Sequence, residues 1–299
     1  MSTAFTGKVI ECVPNFSEGR DWKTIEAIHE SILSVSGCEV WDHSADTDHN
    51  RSVFTIAGTP EGLEEAAVRF TAAAAKLIDM RVHQGCHPCI GAADVIPFIP
   101  LKNADMQDCI ALSEKVGSRI ADELHLPVYL YAQSARTPAH KRLADIRRGG
   151  YSRLQAEIDS VPERAPDLGP KVLPPAGGVS VGARDFLIAF NVYLDSSEVS
   201  PAKEIARRIR ESSGGLPGVQ AIGLLVNHQA QVSMNLLNYR KTSMKAVFEA
   251  ISFHAAGMGA RIDHSELIGM LPQDALRGTS AADLLIRDFS EDKIIERHL

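Results

Sequence analysis

SVPERAPDLGPKVLPPAGGVSVGAR, residues 160–184, is the stretch that decides how the chain is organised. It holds five prolines and several glycines and sustains no apolar period, so it reads as a linker or a long loop. A loop of this length inside compact protein is often functional, and a cleft between two subdomains is a usual home for a ligand. A boundary here divides the chain into residues 1–180 and 181–299. Each part has a comparable order of strand, polar loop, helix, strand, strand, helix, as a structural duplication would produce.

Outward from this boundary, helices are marked by apolar residues at a 3.6 period. Residues 21–36 carry Ile25, Ile28, Ile32 and Val35 with Gly37 as a stop, and Thr59-Pro60 opens a helix with Leu63, Ala67, Phe70, Ala74 and Leu77 on one face. Residues 103–124 repeat the pattern, Ser200-Pro201 opens another helix, and Thr242 caps one lined by Met244, Val247, Phe248 and Ile251. Strands are expected at residues 9–13, 39–42, 52–57, 93–99, 128–131, 186–194, 221–226 and 231–236. Alternating strands and helices imply an α/β chain whose sheets are covered by helices on at least one face.

At 299 residues the chain suits two domains or subdomains, and 44% hydrophobic with 23% charged residues is ordinary for a folded protein. A net charge of -7 argues against nucleic acid as the main partner. The first twenty residues show no apolar run of the signal-peptide kind, and no stretch is long enough to span a bilayer. Five cysteines, an odd number, do not suggest a disulfide framework. A soluble, cytoplasmic protein without a membrane partner is expected.

Residues 82–100, VHQGCHPCIGAADVIPFIP, crowd His83, Cys86, His87 and Cys89 into seven positions. Structural zinc usually needs a second ligand pair across a long loop, and none follows at suitable spacing. A redox CxxC usually opens a helix whose N-terminus lowers the thiolate pKa, whereas a strand pattern follows here. A loop with small, half-buried cysteines and a turn with one catalytic histidine both remain open on spacing alone.

Taken together, ECVPNFSEGR (11–20), DHNRSVF (48–54), LIDMRVHQGCHPCIGAADVIPFIPL (77–101), LPVYLY (126–131), VGARDFLIAFNVYL (181–194), QVSMNLLNY (231–239) and SELIGMLP (265–272) resemble the formiminotransferase domain of the glutamate formimidoyltransferase family. The resemblance runs in family order over nearly the whole chain. It implies two similar subdomains of α+β sandwich type, each a β-sheet with helices packed on one face, with a ligand cleft between them. It also implies a homodimer. The cyclodeaminase domain fused in some relatives has no room in this length. His83, Gly85, His87, Pro88, Gly91 and Ala92 fall on the family's H-K-G-E-H-P-R-M-G-A pattern, but Cys86 stands in place of its glutamate and Cys89 in place of its arginine.

The implied reaction moves a formimino group from N-formimino-glutamate to N5 of tetrahydrofolate, as a step of histidine degradation. Tetrahydrofolate is the co-substrate, and no metal is expected. The resemblance makes His83 the acid/base catalyst. The donor's amidine is cationic, so a carboxylate should hold it, with Asp48 and Asp94 ahead of Asp42; an aspartate in such a loop can equally hydrogen-bond its own turn. Arg51 and Arg184 are candidates for the carboxylates of glutamate and folate, against the alternative of ordinary surface ion pairs. Asn15, Ser17 and Glu18 form a polar loop at a strand end, and His49 and Asn191 fall in family-like segments. Gly169, Pro170, Gly177 and Gly178 belong to GPKVLPPAGG, which matches the family's folate loop loosely. The substitutions at Cys86 and Cys89 admit two other readings: a one-carbon enzyme with another donor, such as 5-formyltetrahydrofolate, or a folate-binding protein without catalysis.

Overall fold

The computed structural model describes Phe5, residues 7–85 and residues 88–299. The chain divides between Arg184 and Asp185 into two units.

The first unit opens with β1 (Val9–Cys12) and the two-residue β2 (Asn15–Phe16), then α1 (Trp22–Leu33), β3 (Cys38–Asp46), β4 (Arg51–Gly58), α2 (Pro60–Leu77) and β5 (Ala93–Lys102). β1 lies between β4 and β5, and β3 pairs on the far side of β4, all antiparallel. Beyond β5 the chain continues through α3 (Met106–Leu124), β6 (Val128–Ala132), the short helices α4 (Leu143–Ile146) and α5 (Gly150–Glu157), and β7 (Val179–Ala183). β7 inserts between β5 and β6, parallel to both.

The second unit consists of β8 (Ile188–Leu194), α6 (Val199–Ile209), β9 (Val219–Val226), β10 (Gln229–Leu236), α7 (Met244–Ala256) and β11 (Ile262–Ile268). Its antiparallel sheet has the order β11-β8-β10-β9. The order β5-β1-β4-β3 in the first unit is the same βαββαβ arrangement, so the two units share one topology. The first differs by the added α3–β6–β7 segment.

The helix starts follow from local chemistry. Asp21 accepts the Lys23 N–H at 3.1 Å, and Thr59 accepts the Gly62 N–H at 3.1 Å ahead of Pro60. Asp105 and Asp108 form a reciprocal capping box, which starts α3 at Met106 rather than near residue 103. Ser243, one residue past Thr242, caps α7 by accepting the Ala246 N–H at 3.1 Å; Thr242 instead donates to the Pro217 carbonyl. α6 begins at Val199, because a proline without an N–H is tolerated throughout the first turn.

The proline-rich stretch is not a free tether. Residues 179–183 form β7, all buried, as a parallel strand covered on both faces requires. The Leu168 carbonyl accepts the Val128 N–H at 2.9 Å. The Arg164 guanidinium donates to the carbonyls of Asp145 and Ile146, each at 2.8 Å. β2 and β11 were also absent from the expected strands. β2 is too short to show a period, and it continues the line of β1 past the interruption at Val13-Pro14.

Phe16 joins this core to the polar loop that follows it. It is fully buried, with edge-on contacts to Phe54 at 5.6 Å and Phe70 at 5.3 Å. Phe16→Ala is expected to lower the free energy of unfolding by about 3–5 kcal/mol. Urea denaturation checks this; a loss below about 1 kcal/mol would show that the cluster repacks.

Candidate active site

The turn before β5 is organised from beneath by Asp94. Its carboxylate is 1% exposed, accepts the Ile90 N–H at 2.7 Å through Oδ1, and pairs through Oδ2 with the guanidinium of Arg147 just after α4. A buried carboxylate without such partners is costly.

The glycine-rich loop docks directly on this turn. The Ala92 N–H donates to the Ala176 carbonyl at 2.8 Å, the Gly178 N–H to the Ile90 carbonyl at 3.0 Å, and the Met80 N–H to the Pro175 carbonyl at 2.8 Å. The backbones come so close that a Cβ on Gly91 would strike the Gly178 carbonyl, and one on Gly177 would strike Ile90. Gly177 also has a φ of +79°, which favours glycine. From the other side, Ser17 donates its hydroxyl to the Gly91 carbonyl at 2.8 Å and its N–H to the Ala92 carbonyl at 2.9 Å. The structure therefore assembles three sequence segments around residues 90–94.

His83 is half-buried on the rim of this assembly. Burial pulls its pKa below the ordinary histidine value; Glu18 opposes that, Arg20 adds to it, and Asp94 opposes it more weakly. Asn50, which composition and spacing did not single out, places its amide nitrogen 3.3 Å from His83 Nδ1.

Cationic charge gathers nearby. Burial first, then the neighbouring Arg147, pushes the Arg51 guanidinium down to about 10 against the pull of Asp94 and Asp46. Arg147 Nε is a buried donor with no hydrogen-bond partner among the described residues, which suits a ligand carboxylate. Sequence reasoning missed Arg147 because it follows a short helix outside the family-like segments. Arg184 faces Tyr131, whose phenol it hydrogen-bonds, and the buried Glu11.

The remaining candidates are placed as follows. Glu18 accepts the N–H groups of Arg20 and Asp21 at 2.7 and 2.9 Å, shaping its own loop. Asn15 donates to the Val13 carbonyl at 3.0 Å. Asp48 is exposed in the β3–β4 turn, which Asp46 holds by accepting the His49 N–H at 2.7 Å while its Oδ1 lies 3.0 Å from the ring nitrogen. Asp42 is half-buried on β3 opposite Thr55. Gly169 has a φ of +80°, and Pro170 is half-buried beside it. Asn191 belongs to the second unit. There its amide and the Tyr193 hydroxyl both donate to Glu266 Oε2, at 3.3 and 3.2 Å, while Tyr193 stacks on His264 at 4.3 Å.

Cys86 and His87 lie outside the described residues, so the metal and redox expectations are followed only at Cys89. Burial and then the Asp94 charge raise the Cys89 thiol to about 11, although Ser17, Arg147 and Arg51 pull the other way. A thiol held protonated is a poor nucleophile and a poor metal ligand. Among the described residues no group of His, Cys, Asp and Glu side chains is arranged to hold a metal ion.

The model of the formiminotransferase domain, N-terminal subdomain, matches residues 9–184, and that of the formiminotransferase domain matches residues 189–298. The chain belongs to the formiminotransferase family. It is 41% identical over 296 residues to the glutamate formimidoyltransferase of Streptococcus pyogenes serotype M1, covering 98% of this chain and 99% of that one. The glutamate formimidoyltransferase of Thermoplasma acidophilum is also 41% identical, with 97% of each chain covered. The formimidoyltransferase-cyclodeaminase of Gallus gallus is 39% identical over 94% of this chain but only 53% of its own length. The family boundary between residues 184 and 189 coincides with the division between the two units.

Two measurements check the electrostatics. Iodoacetamide at about pH 8 should alkylate Cys89 roughly a hundredfold more slowly than a thiol of ordinary pKa; peptide mass mapping reads this, and rapid labelling would contradict it. Glu11 is buried and its carboxyl is raised by burial to about 7, Arg184 offsetting this only in part. A folded pKa above the unfolded value makes the ionised form costly, so stability should fall as pH rises from about 4.5 to about 7. Glu11→Gln should flatten that decline, worth on the order of 3 kcal/mol. Urea unfolding of both proteins across that range tests it.

Proposed function

We propose that this protein is a tetrahydrofolate-dependent glutamate formimidoyltransferase of histidine degradation, cytoplasmic and homodimeric. The observation that carries this reading is a half-buried His83 beside Asn50, in the segment just before the turn at residues 90–92 on which the glycine-rich loop is docked, in a chain 41% identical over 98% of its length to glutamate formimidoyltransferase.

In the reaction, the formimino group leaves the glutamate nitrogen and joins N5 of tetrahydrofolate; N5 loses one proton and the departing nitrogen gains one. His83 relays that proton. Its lowered pKa keeps the ring neutral at physiological pH, as a relay working near neutrality requires. Arg51, Arg147 and Arg184 supply guanidinium groups for the carboxylates of the two substrates. Asp94 anchors the turn and balances Arg147. Asp48, Asp42 and His49 complete the proposed set in the first unit, with Asn15, Ser17, Glu18, Gly169, Pro170, Gly177 and Gly178 shaping the loops, and Asn191 is a separate binding candidate in the second.

A second reading, a relative using 5-formyltetrahydrofolate, draws on Cys89 standing beside Arg51 and Arg147 where the family has arginine. Loss of one guanidinium changes which anionic donor is held best.

The test is glutamate release from N-formimino-glutamate with and without tetrahydrofolate. Folate-dependent release that falls by about 10²–10⁴-fold in His83→Ala is expected. The acid limb of kcat/KM should lie below the ordinary histidine value, because the neutral ring persists as pH falls. Folded protein that binds reduced folate but releases no glutamate would overturn the assignment, and turnover of 5-formyltetrahydrofolate would then favour the second reading.

A further inference from the structure

Asn50 lies beside His83 and has no part in the proton relay itself. It is 7% exposed, at the end of the β3–β4 turn, with a φ of +48° that asparagine tolerates better than most residues. Its side chain ties three segments together. Oδ1 accepts the Gly19 N–H at 3.0 Å; Nδ2 donates to the Gln84 carbonyl at 3.0 Å and lies 3.3 Å from His83 Nδ1.

These contacts fix which way the amide points. Turning it over would set the amide NH₂ against the Gly19 N–H and the amide oxygen against the Gln84 carbonyl, losing both bonds and opposing like groups. The group facing Nδ1 is therefore a donor, and Nδ1 must accept.

We propose that Asn50 is a positioning residue that holds His83 as the neutral tautomer protonated on Nε2. An imidazolium carries N–H on both nitrogens, and its Nδ1–H would face another donor, so Asn50 also opposes the charged ring. That effect adds to burial. The charged groups that face His83 among the described residues are Glu18 and Asp94, which favour its charged form, and Arg20, which disfavours it. The consequence for catalysis rests on the transferase reading. The ring meets the departing nitrogen as a donor at Nε2, and the proton shed by N5 returns to the same atom within one concerted relay.

The tautomer can be read without any turnover. Long-range ¹H–¹⁵N spectra of ¹⁵N-labelled protein separate the ring nitrogens of its eleven histidines, and His83→Ala identifies the His83 signals. At about pH 8, a protonated Nε2 and an unprotonated Nδ1 are expected. In Asn50→Asp, which retains the acceptor for Gly19 and tolerates the same backbone, a carboxylate faces Nδ1. The proton should move to Nδ1, and the His83 pKa and the acid limb of kcat/KM should rise by roughly one pH unit or more. Wild-type protein protonated on Nδ1 would overturn the proposal, and this single spectrum decides even if the variant fails to fold. A folded Asn50→Asp whose tautomer and acid limb stay unchanged would overturn it as well. Absence of glutamate release from the wild type would instead sink the transferase reading and leave the tautomer result standing.

Discussion

The Asp94 carboxylate accepting the Ile90 N–H, with Arg147 closing over it, is the contact on which the arrangement of the site depends. It fixes the end of the turn at Ile90, just before β5 begins. Gly91 and Gly177 can then approach as an isolated antiparallel bridge, and the glycine-rich loop is seated on the turn by backbone hydrogen bonds. Removing the carboxylate would leave a buried guanidinium uncompensated as well as a turn without its anchor, which is why a single side chain carries so much of the local order.

The site works by balancing buried charges of both signs. Arg51, Arg147 and Arg184 bring excess positive charge to a region where Asp94 supplies the compensating carboxylate, and Glu11 is raised by burial to about 7. Such a surplus of buried guanidinium charge is costly unless carboxylates compensate it. Cys89 is drawn into the same field. Its thiol stays protonated because burial and Asp94 outweigh Ser17 and the two arginines, so Cys89 does not bring thiolate chemistry with it.

Both units use the same βαββαβ topology, yet the turn bearing His83 and the glycine-rich loop sit in the first. The added α3–β6–β7 segment accounts for this difference. Inserting β7 between β5 and β6 pulls the proline-rich stretch back against the first sheet, where Arg164 and the bridge from Leu168 to Val128 hold it.

The sequence by itself determined the α/β class, most of the helices and strands, the family-like segments and the prominence of His83. Those depend on local period, capping residues and a motif that is contiguous in the chain. Only the tertiary structure decided that residues 179–183 are a buried strand, because parallel pairing leaves no alternating pattern and the prolines before it read as a break. Tertiary structure alone also revealed Arg147 and Asn50. Each reaches the site from a short helix or a turn whose own sequence says nothing of its neighbours, and each acts through a contact spanning tens of residues along the chain: Arg147 with Asp94, Asn50 with Gly19 and His83. Their roles follow from which hydrogen-bonding groups face one another in a buried space, and that is set by folding rather than by spacing.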